Sequence, residues 1–367
     1  MSGIKNFIFN DKRFLKSGNP ESEKDGIILT TRSRIARNLN GFRFNTANSM
    51  PEKKEILESI RNSFFSSEKS KNYIYYNISK LSRLQRRFFV ERHILSPEMI
   101  FRLYAKGLIL KLDHRNFNVS VSIMINEEDH LRIQSTMPGL NICRTFKEIA
   151  EVEKILEKKL SFSFDRDFGY LNNCPTNLGT ALRVSVIAHL PGIVVTGKVE
   201  DFVKKLGSIG CSIRGFYGEG SEIVGNIFQI SNQVSLGKNE KQITEEMNAI
   251  CLNIIEEESD VIKSLKDSRP AGVEDGIMRS YGMLKYAKML SYGEALEILS
   301  MIKLGRDTCT LHDIKPFNFY QLISLLGESN IILGKNISAD SRIDEVDMMR
   351  AGIVRNETLK GNKKRIG

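Results

Sequence analysis

Cysteine is scarce in this chain. Cys143, Cys174, Cys211, Cys251 and Cys309 are odd in number, widely scattered and without a C-x-x-C pair. That spacing indicates neither a disulfide framework nor a zinc site, and 367 residues bury enough core to fold without such staples. The usage fits a reducing cytoplasm. No run of ~18 apolar residues is present that would span a bilayer; the best stretch, Val184 to Val195, is broken by His189 and Pro191. Met1 to Leu15 alternates apolar residues with Lys5, Lys12 and Arg13, and it lacks the continuous apolar region and small-residue cleavage site of an export signal. The expectation is a soluble cytoplasmic protein with no membrane partner. Repeats of solenoid or propeller period are missing, as are Pro-rich and Ser/Gly-rich linkers, so domain boundaries have to be read from changes in periodicity.

What is abundant is positive charge. The formal net charge of +10 favours an anionic partner, whether nucleotide, nucleic acid or acidic protein surface, and basicity alone does not choose among them. Between about Phe117 and Leu236 the pattern is largely period two: Val119, Val121, Ile123 and Ile125, then Leu131 and Ile133, then Leu182, Val184, Val186 and Ala188. This predicts antiparallel sheet. From Ile243 the period becomes helical, with Met247, Cys251, Ile254, Val261 and Leu265 on one stripe that Pro270 and Gly272 end. Further helical patterns cover Glu294 to Ile302, Phe317 to Leu326 and Asp344 to Leu359. The fold class expected is α+β, an antiparallel sheet flanked by helices with an all-helical C-terminal domain. Residues 1–265 are expected to form the sheet-containing domain and 270–360 the helical one, against the alternative of a single α+β domain with its last helices packed on the sheet.

Four segments carry more paired charge and more turn residues than a core needs. In Thr30 to Asn38, Arg32 and Arg34 share one face if the chain is extended, as two prongs on one phosphate chain require; a solvated basic segment is the alternative. In Asn126 to Ile133, the consecutive acids Glu127, Glu128 and Asp129 repel one another and lose hydration unless a cation is bound, or unless they form a plain acidic hairpin turn. On the returning strand, His130, Arg132 and Gln134 are expected on one face. The third, Gly169 to Arg183, places Cys174 before Pro175 in a turn and leads into a strand that displays Arg183 and Ser185 together. The fourth, Arg214 to Glu222, is Gly-rich and carries Arg214 and Glu219, but it is no Walker motif. Fixed arginines suit the polyphosphate of a nucleotide. Carboxylates suit a guanidinium, whose pKa above ~12 makes it no nucleophile until a base aligns it and takes a proton.

These segments resemble the phosphagen (guanidino) kinase family, most closely its bacterial protein-arginine kinase branch. The words are R-S-R-I-A-R-N-L at Arg32, M-I-N-E-E-D-H-L-R-I-Q at Met124, G-Y-L-N-N-C-P-T-N-L-G-T at Gly169, R-G-F-Y-G-E-G-S-E at Arg214 and G-N-I-F-Q-I-S-N-Q-V at Gly225, in that order over nearly the whole chain. The resemblance implies a guanidino kinase catalytic fold, glutamine-synthetase-like. It implies ATP held by Arg32, Arg34, Arg132, Arg183 and Arg214, with Mg²⁺ carried mainly by nucleotide phosphates and water. Glu128 is implied as the catalytic carboxylate, Glu219 as its partner on the guanidinium, Cys174 as the active-site thiol and His93 as a contact to the base. Phe228 to Asn232 is similar to the protein-directed branch rather than to metabolite kinases.

The same resemblance implies protein acceptors with exposed arginine, marking for a Clp unfoldase, regulation of a heat-shock repressor, a zinc-binding activator of the McsA kind and a homodimer. Direct nucleic-acid binding is not implied. A kinase of a small free guanidino compound and an inactive adaptor or repressor-binding module are the competing readings. Two departures stand out. Val346 replaces the first arginine of an R-D-x-x-R-A word that docks phosphoarginine, which puts that pocket in question. Val184 follows Arg183 where alanine is usual, and is expected to add bulk near the phosphates.

Overall fold

The computed structural model describes residues 26–44, 47–113, 118–216, 223–335 and 343–360. Ten strands are formed among them: β1 (Ile28–Arg37), β2 (Tyr73–Asn77), β3 (Gly107–Asp113), β4 (Asn118–Ile125), β5 (Leu131–Pro138), β6 (Phe164–Asp165), β7 (Gly169–Tyr170), β8 (Arg183–His189), β9 (Cys211–Arg214) and β10 (Ile227–Asn232). Eight make one sheet in the order β2-β3-β4-β5-β1-β8-β10-β9, every neighbouring pair antiparallel, and β6 and β7 form a separate hairpin. The helices are α1 (Met50–Phe65), α2 (Arg83–Glu91), α3 (Ile142–Glu157), α4 (Pro191–Val195), α5 (Val199–Ser208), α6 (Glu240–Ser268), α7 (Ala271–Tyr286), α8 (Tyr292–Asp307), α9 (Phe319–Leu325), α10 (Glu328–Lys335) and α11 (Ile343–Thr358).

Period-two alternation sorts the side chains of each central strand onto two faces. One face presents Ile35, Ile133, Ile123, Val184, Val186, Phe228 and Ile230, which pack against α1, α3, α5 and the first half of α6. Each such side chain, taken fully out of water, contributes ~1.5–3 kcal/mol. The opposite face is apolar only at its flanks. Tyr76, Leu108, Leu110 and Met124 pack under Phe88 and Phe89 of α2, while Ile187 and Ile227 share a core with helices α7 to α9 and the second half of α6. Between these two apolar regions runs a polar stripe.

The α+β class with antiparallel sheet and helical C-terminal region is as expected. The stretch from Phe117 to Leu236, read as largely sheet, also carries α3, α4 and α5. Two of them are short, and the alternating strands around all three dominate the pattern. The helix that carries the stripe from Ile243 ends at Ser268, just before Pro270 as expected, and a second helix follows at once. Arg269 turns left-handed at φ 44° to close α6, and Pro270 becomes the N-cap of α7, a place that demands no N–H of it. Val184 lies on the core face, buried, while Arg183 beside it faces the other way, so its extra bulk goes into the core and not toward the polar stripe.

The junction of α6 with α4 is closed by one carboxylate. Glu258 is fully buried and accepts hydrogen bonds from Gly192 N at 2.6 Å and Ile193 N at 2.9 Å, the open donors at the start of α4. Burial pushes its pKa up from 4.5 to about 7, against the pull of those donors and of Lys303. Folded Glu258 therefore keeps its proton to a higher pH than the unfolded chain does. Its stabilising contribution is full below pH 4.5 and is lost as pH rises through 7. Denaturant midpoints should show the wild type losing on the order of 2 kcal/mol more than Glu258→Gln across that window; parallel pH profiles would exclude Glu258 as the source.

Candidate active site

The polar stripe is built by register. On β1, Arg32 pairs across with Thr136 and Ser185, and Arg34 with Gln134 and Arg183; on β5, Arg132 stands opposite Ala36; on β9, Arg214 stands opposite Gln229 of β10. Residues opposite one another on antiparallel strands share a face, so Arg32, Arg34, Arg132, Arg183 and Arg214 all rise from the same side of the sheet. Arg32 Nε donates to Ser185 Oγ at 3.3 Å, and Arg183 donates to Ser231 Oγ at 2.9 Å and Ser212 Oγ at 3.1 Å. Neutral hydroxyls help to orient these guanidiniums. The pKa of Arg34 is pushed down to about 9 by burial and by the guanidiniums of Arg132, Arg32 and Arg183, and burial also lowers that of Arg32. Neither Arg32 nor Arg34 has a carboxylate within ion-pair distance among the described residues. Such a cluster is costly in the absence of an anion.

At one end of the stripe, the turn from β4 to β5 carries the acids. Asn126 takes a left-handed φ of 58° and donates to Lys53 O and Ala105 O, both at 2.8 Å, which fixes the turn against two other segments. Arg132 pairs with Glu127 at 2.6 Å, with Asp129 at 3.2 Å and closely with Glu128. The cation that the acid run requires is thus supplied internally. Burial opposes the charge on Glu127, but Arg132 and Arg34 outweigh it and hold its pKa below the ordinary range. Asp129 is spent on structure: it accepts from Asn38 Nδ2 at 3.1 Å and from Asn173 N at 2.9 Å. His130 is structural too, because Leu39 N donates to its Nδ1 and its Nε2 reaches Arg43 O and Asn48 Oδ1. It lies in the turn, one residue before β5 begins. Glu128 alone of the acids is open, its side chain 37% exposed.

The Cys174 loop closes against this turn. Asn173 N is held by Asp129, and Asn172 Nδ2 ties Tyr170 O to Asn177 O, so the loop is braced at both feet. Cys174 is half-buried, with Sγ 3.0 Å from Thr176 Oγ1. Gly179 sits at φ 88°, where a Cβ would meet Ser235 O at 2.6 Å, so only glycine lets the loop foot approach the segment after β10. Arg37, the third arginine of the first motif, faces the opposite way and is a buried strut: it pairs with Glu153 at 2.5 Å, donates to Thr180 O at 3.0 Å and lies 3.4 Å over the Tyr170 ring.

His93 reaches the stripe from the end of α2. Its carbonyl accepts from Gln134 Nε2 at 2.9 Å, and its ring stands edge-on to Phe216 at 4.7 Å. Burial and nearby Arg32 push its pKa down to about 3, so it is neutral at physiological pH. The sequence singled out nine residues, and the structure brings Arg32, Arg34, Arg132, Arg183, Arg214, His93, Glu128 and Cys174 onto one side and one end of the sheet; Glu219 lies outside the described residues. Two further contributors were missed. Gln134, already visible as a face-mate of Arg132, holds the His93 backbone. Tyr320 of α9 bonds Thr30 and lies near Arg32 and Arg92, whose pull opposes the rise that burial imposes on its phenol. No local sequence signal marks Tyr320.

An arginine cluster held together against its own repulsion should relax when a charge is removed. Arg34→Met is expected to raise stability by about 1 kcal/mol in urea denaturation and to weaken pyrophosphate binding at least ~10-fold by calorimetry. A destabilised variant with unchanged pyrophosphate affinity would contradict the role of Arg34 as an anion ligand.

Residues 55–261 match the family model described as ATP:guanido phosphotransferase, C-terminal catalytic domain, and residues 270–366 match the protein-arginine kinase McsB C-terminal domain. The chain is 35% identical over 352 residues to a protein-arginine kinase of Syntrophomonas wolfei, covering 95% of each chain. It is 34% identical over 355 residues to that of Bacillus subtilis, covering 96% of this chain and 95% of the other. Among solved structures, the duplicated taurocyamine kinase of Schistosoma mansoni superposes with a TM-score of 0.57 at 27% identity, over 68% of this chain and 35% of that one. With catalytic-domain model, C-terminal model and full-length relatives in agreement, the chain belongs to the ATP:guanido phosphotransferases, in the family of bacterial protein-arginine kinases.

Proposed function

We propose that this enzyme transfers the γ-phosphoryl group of ATP to the guanidinium of arginine residues in proteins. The observation that carries this reading is a stripe of guanidiniums ending at one open carboxylate, Glu128, with Cys174 on the neighbouring loop. Arg32, Arg34, Arg183 and Arg214 would hold the phosphates, orienting the transferred group and stabilising the charge that spreads over its oxygens. Arg132 links the two halves, since it contacts Glu128 and stands beside Arg34. Glu128 aligns the incoming guanidinium and takes its proton as the N–P bond forms and the bond from the γ-phosphorus to the bridging oxygen breaks, which leaves ADP. Glu219 would make the second contact to the guanidinium. A thiolate at Cys174 would add negative charge beside it, and the neutral His93 ring would meet the base.

The described residues include no group of three or more His, Cys, Asp or Glu side chains placed to hold a metal, and the arginine stripe suits a nucleotide that still carries net negative charge. Mg²⁺ is read as entering on the nucleotide, held by phosphate oxygens and water. When bound it neutralises part of the phosphate charge. The setting we propose is cytoplasmic, and no described helix is long and apolar enough to cross a membrane. The acceptors are proteins marked for Clp-type proteolysis, a heat-shock repressor among them, and a zinc-binding activator and a homodimer belong to the same proposal. Residues 1–265 and 270–360 are proposed as its catalytic and helical domains.

Glu128→Gln keeps the shape of the site and removes the base. Nucleotide binding should persist while transfer falls by ~10²–10⁴. The wild-type product on a protein acceptor should be acid-labile phosphoarginine, detected by mass spectrometry under non-acidic conditions; phosphoserine alone would reject the reading. Greater activity on free arginine than on protein would instead favour a small-guanidine kinase.

A further inference from the structure

His93 occupies a place that favours glycine. The chain leaves α2 through a Schellman turn: His93 N donates to Val90 O and Ile94 N to Phe89 O, both at 2.9 Å, and Ile94 and Phe89 share one apolar cluster. The residue at the head of such a turn is left-handed, and His93 sits there at φ 55°. Glycine or asparagine usually takes this position, because a larger side chain crowds the following carbonyl. Backbone strain of this kind persists only where the surroundings over-determine it.

Here it is held from two sides. From the sheet, Gln134, which stands opposite Arg34, donates through Nε2 to His93 O at 2.9 Å and to Ile94 O at 3.2 Å. From the helical region, the start of α10 closes on the two residues before His93. Ser329 gives Glu91 both its N–H, at 3.1 Å, and its hydroxyl, at 3.0 Å. Asn330 Oδ1 accepts from Arg92 Nη2 at 2.8 Å, and Asn330 Nδ2 donates to Leu325 O at 3.3 Å, where α9 ends. Ser329 and Asn330 are both buried, and a Cβ on Gly327 would run into the Glu91 carboxylate, so the two elements are in close contact. The Arg92 guanidinium also lies 4.8 Å from the centre of the Phe88 ring, and Leu333 of α10 packs against the cluster that holds Phe88 and Phe89.

We infer that Asn330 and Ser329 are positioning residues for the nucleotide: by fixing Arg92 and Glu91 they set the direction in which the chain leaves α2, and so aim the His93 ring at the base. This rests on the reading of the stripe as the ATP site of an arginine kinase, and it gives the helical region a part in nucleotide recognition. The half-exposed Arg87–Glu328 pair between the same two helices is worth little, whereas a buried acceptor taken from a guanidinium leaves that donor unsatisfied. The arginines of the stripe are placed by strand register and by the apolar layer on the other face of the sheet. Loss of the α10 contacts therefore separates recognition of the base from recognition of the phosphates.

Calorimetry on the full-length enzyme compares ADP, which presents base and phosphates, with inorganic pyrophosphate, which presents phosphates alone. Asn330→Leu nearly keeps the volume and removes the acceptor. It should weaken ADP binding about five- to ten-fold, leave pyrophosphate binding unchanged, and raise the KM for ATP more than it lowers kcat. Asn330→Asp, which gives Arg92 an acceptor again, should recover most of the ADP affinity. In a His93→Gly background, Asn330→Leu should change ADP binding no further, because residues that act through one group are not additive. A parallel loss of ADP and pyrophosphate affinity would reduce α10 to scaffold and overturn the inference, as would full ADP affinity in Asn330→Leu or additive losses in the double variant. Should Asn330→Leu not fold, Ser329→Ala gives up one hydroxyl and carries the same comparison, with a loss of about three-fold for ADP alone. A wild type that binds ADP no more tightly than pyrophosphate would remove the base contact and the inference with it. Normal ADP binding without phosphoarginine on any acceptor would instead overturn the functional reading.

Discussion

Arg34 is surrounded by guanidiniums. Burial presses hardest on its charge and Arg132, Arg32 and Arg183 add to that pressure, while Glu127 offsets a part of it. The strands that bring these residues together are paired by backbone hydrogen bonds and anchored from behind by a continuous apolar layer. Packing on one face therefore stabilises an arrangement that electrostatics on the other face opposes. This division of labour between the two sides of a strand is the constraint on which the site depends, and it makes the stripe a preorganised receptor for a polyanion.

The acid turn is the counterweight. Of its three carboxylates, two are committed to Arg132, Asn38 and the Asn173 amide, and only Glu128 keeps an open side. Commitment of the other two is what aims the third. The same turn gathers the Cys174 loop, the start of α1 and the segment before β3, so a displacement of the turn would disturb the chemistry and the surrounding surface together.

The helical C-terminal region is not a mere appendage to this assembly. Glu91, at the end of α2, accepts from Ser329 N and Oγ at the start of α10, and Arg92 donates to Asn330 Oδ1 at 2.8 Å. The residue after them is His93. In α11, Val346 is buried against Ile331 and Ile332, and Arg350 is consumed by Leu326 O, Leu290 O and Asp347. The segment that departs from the family's phosphoarginine-docking word is, in this chain, part of the packing between helices.

Much of the site was legible in the residues because strands obey a two-residue period. Arg32 with Arg34, and Arg183 with Ser185, had to share a face once those segments were extended, and the acid run called for a cation or a plain hairpin turn. The helices after Ile243 were legible from their apolar stripe for the same kind of reason. Tertiary structure decided what local pattern does not contain. It chose Arg132 as the cation, gave Arg37 its buried partner Glu153, and brought Tyr320 to Arg32 across almost three hundred residues of chain. A period along the chain says which way a side chain points; only strand order and register say what it meets there.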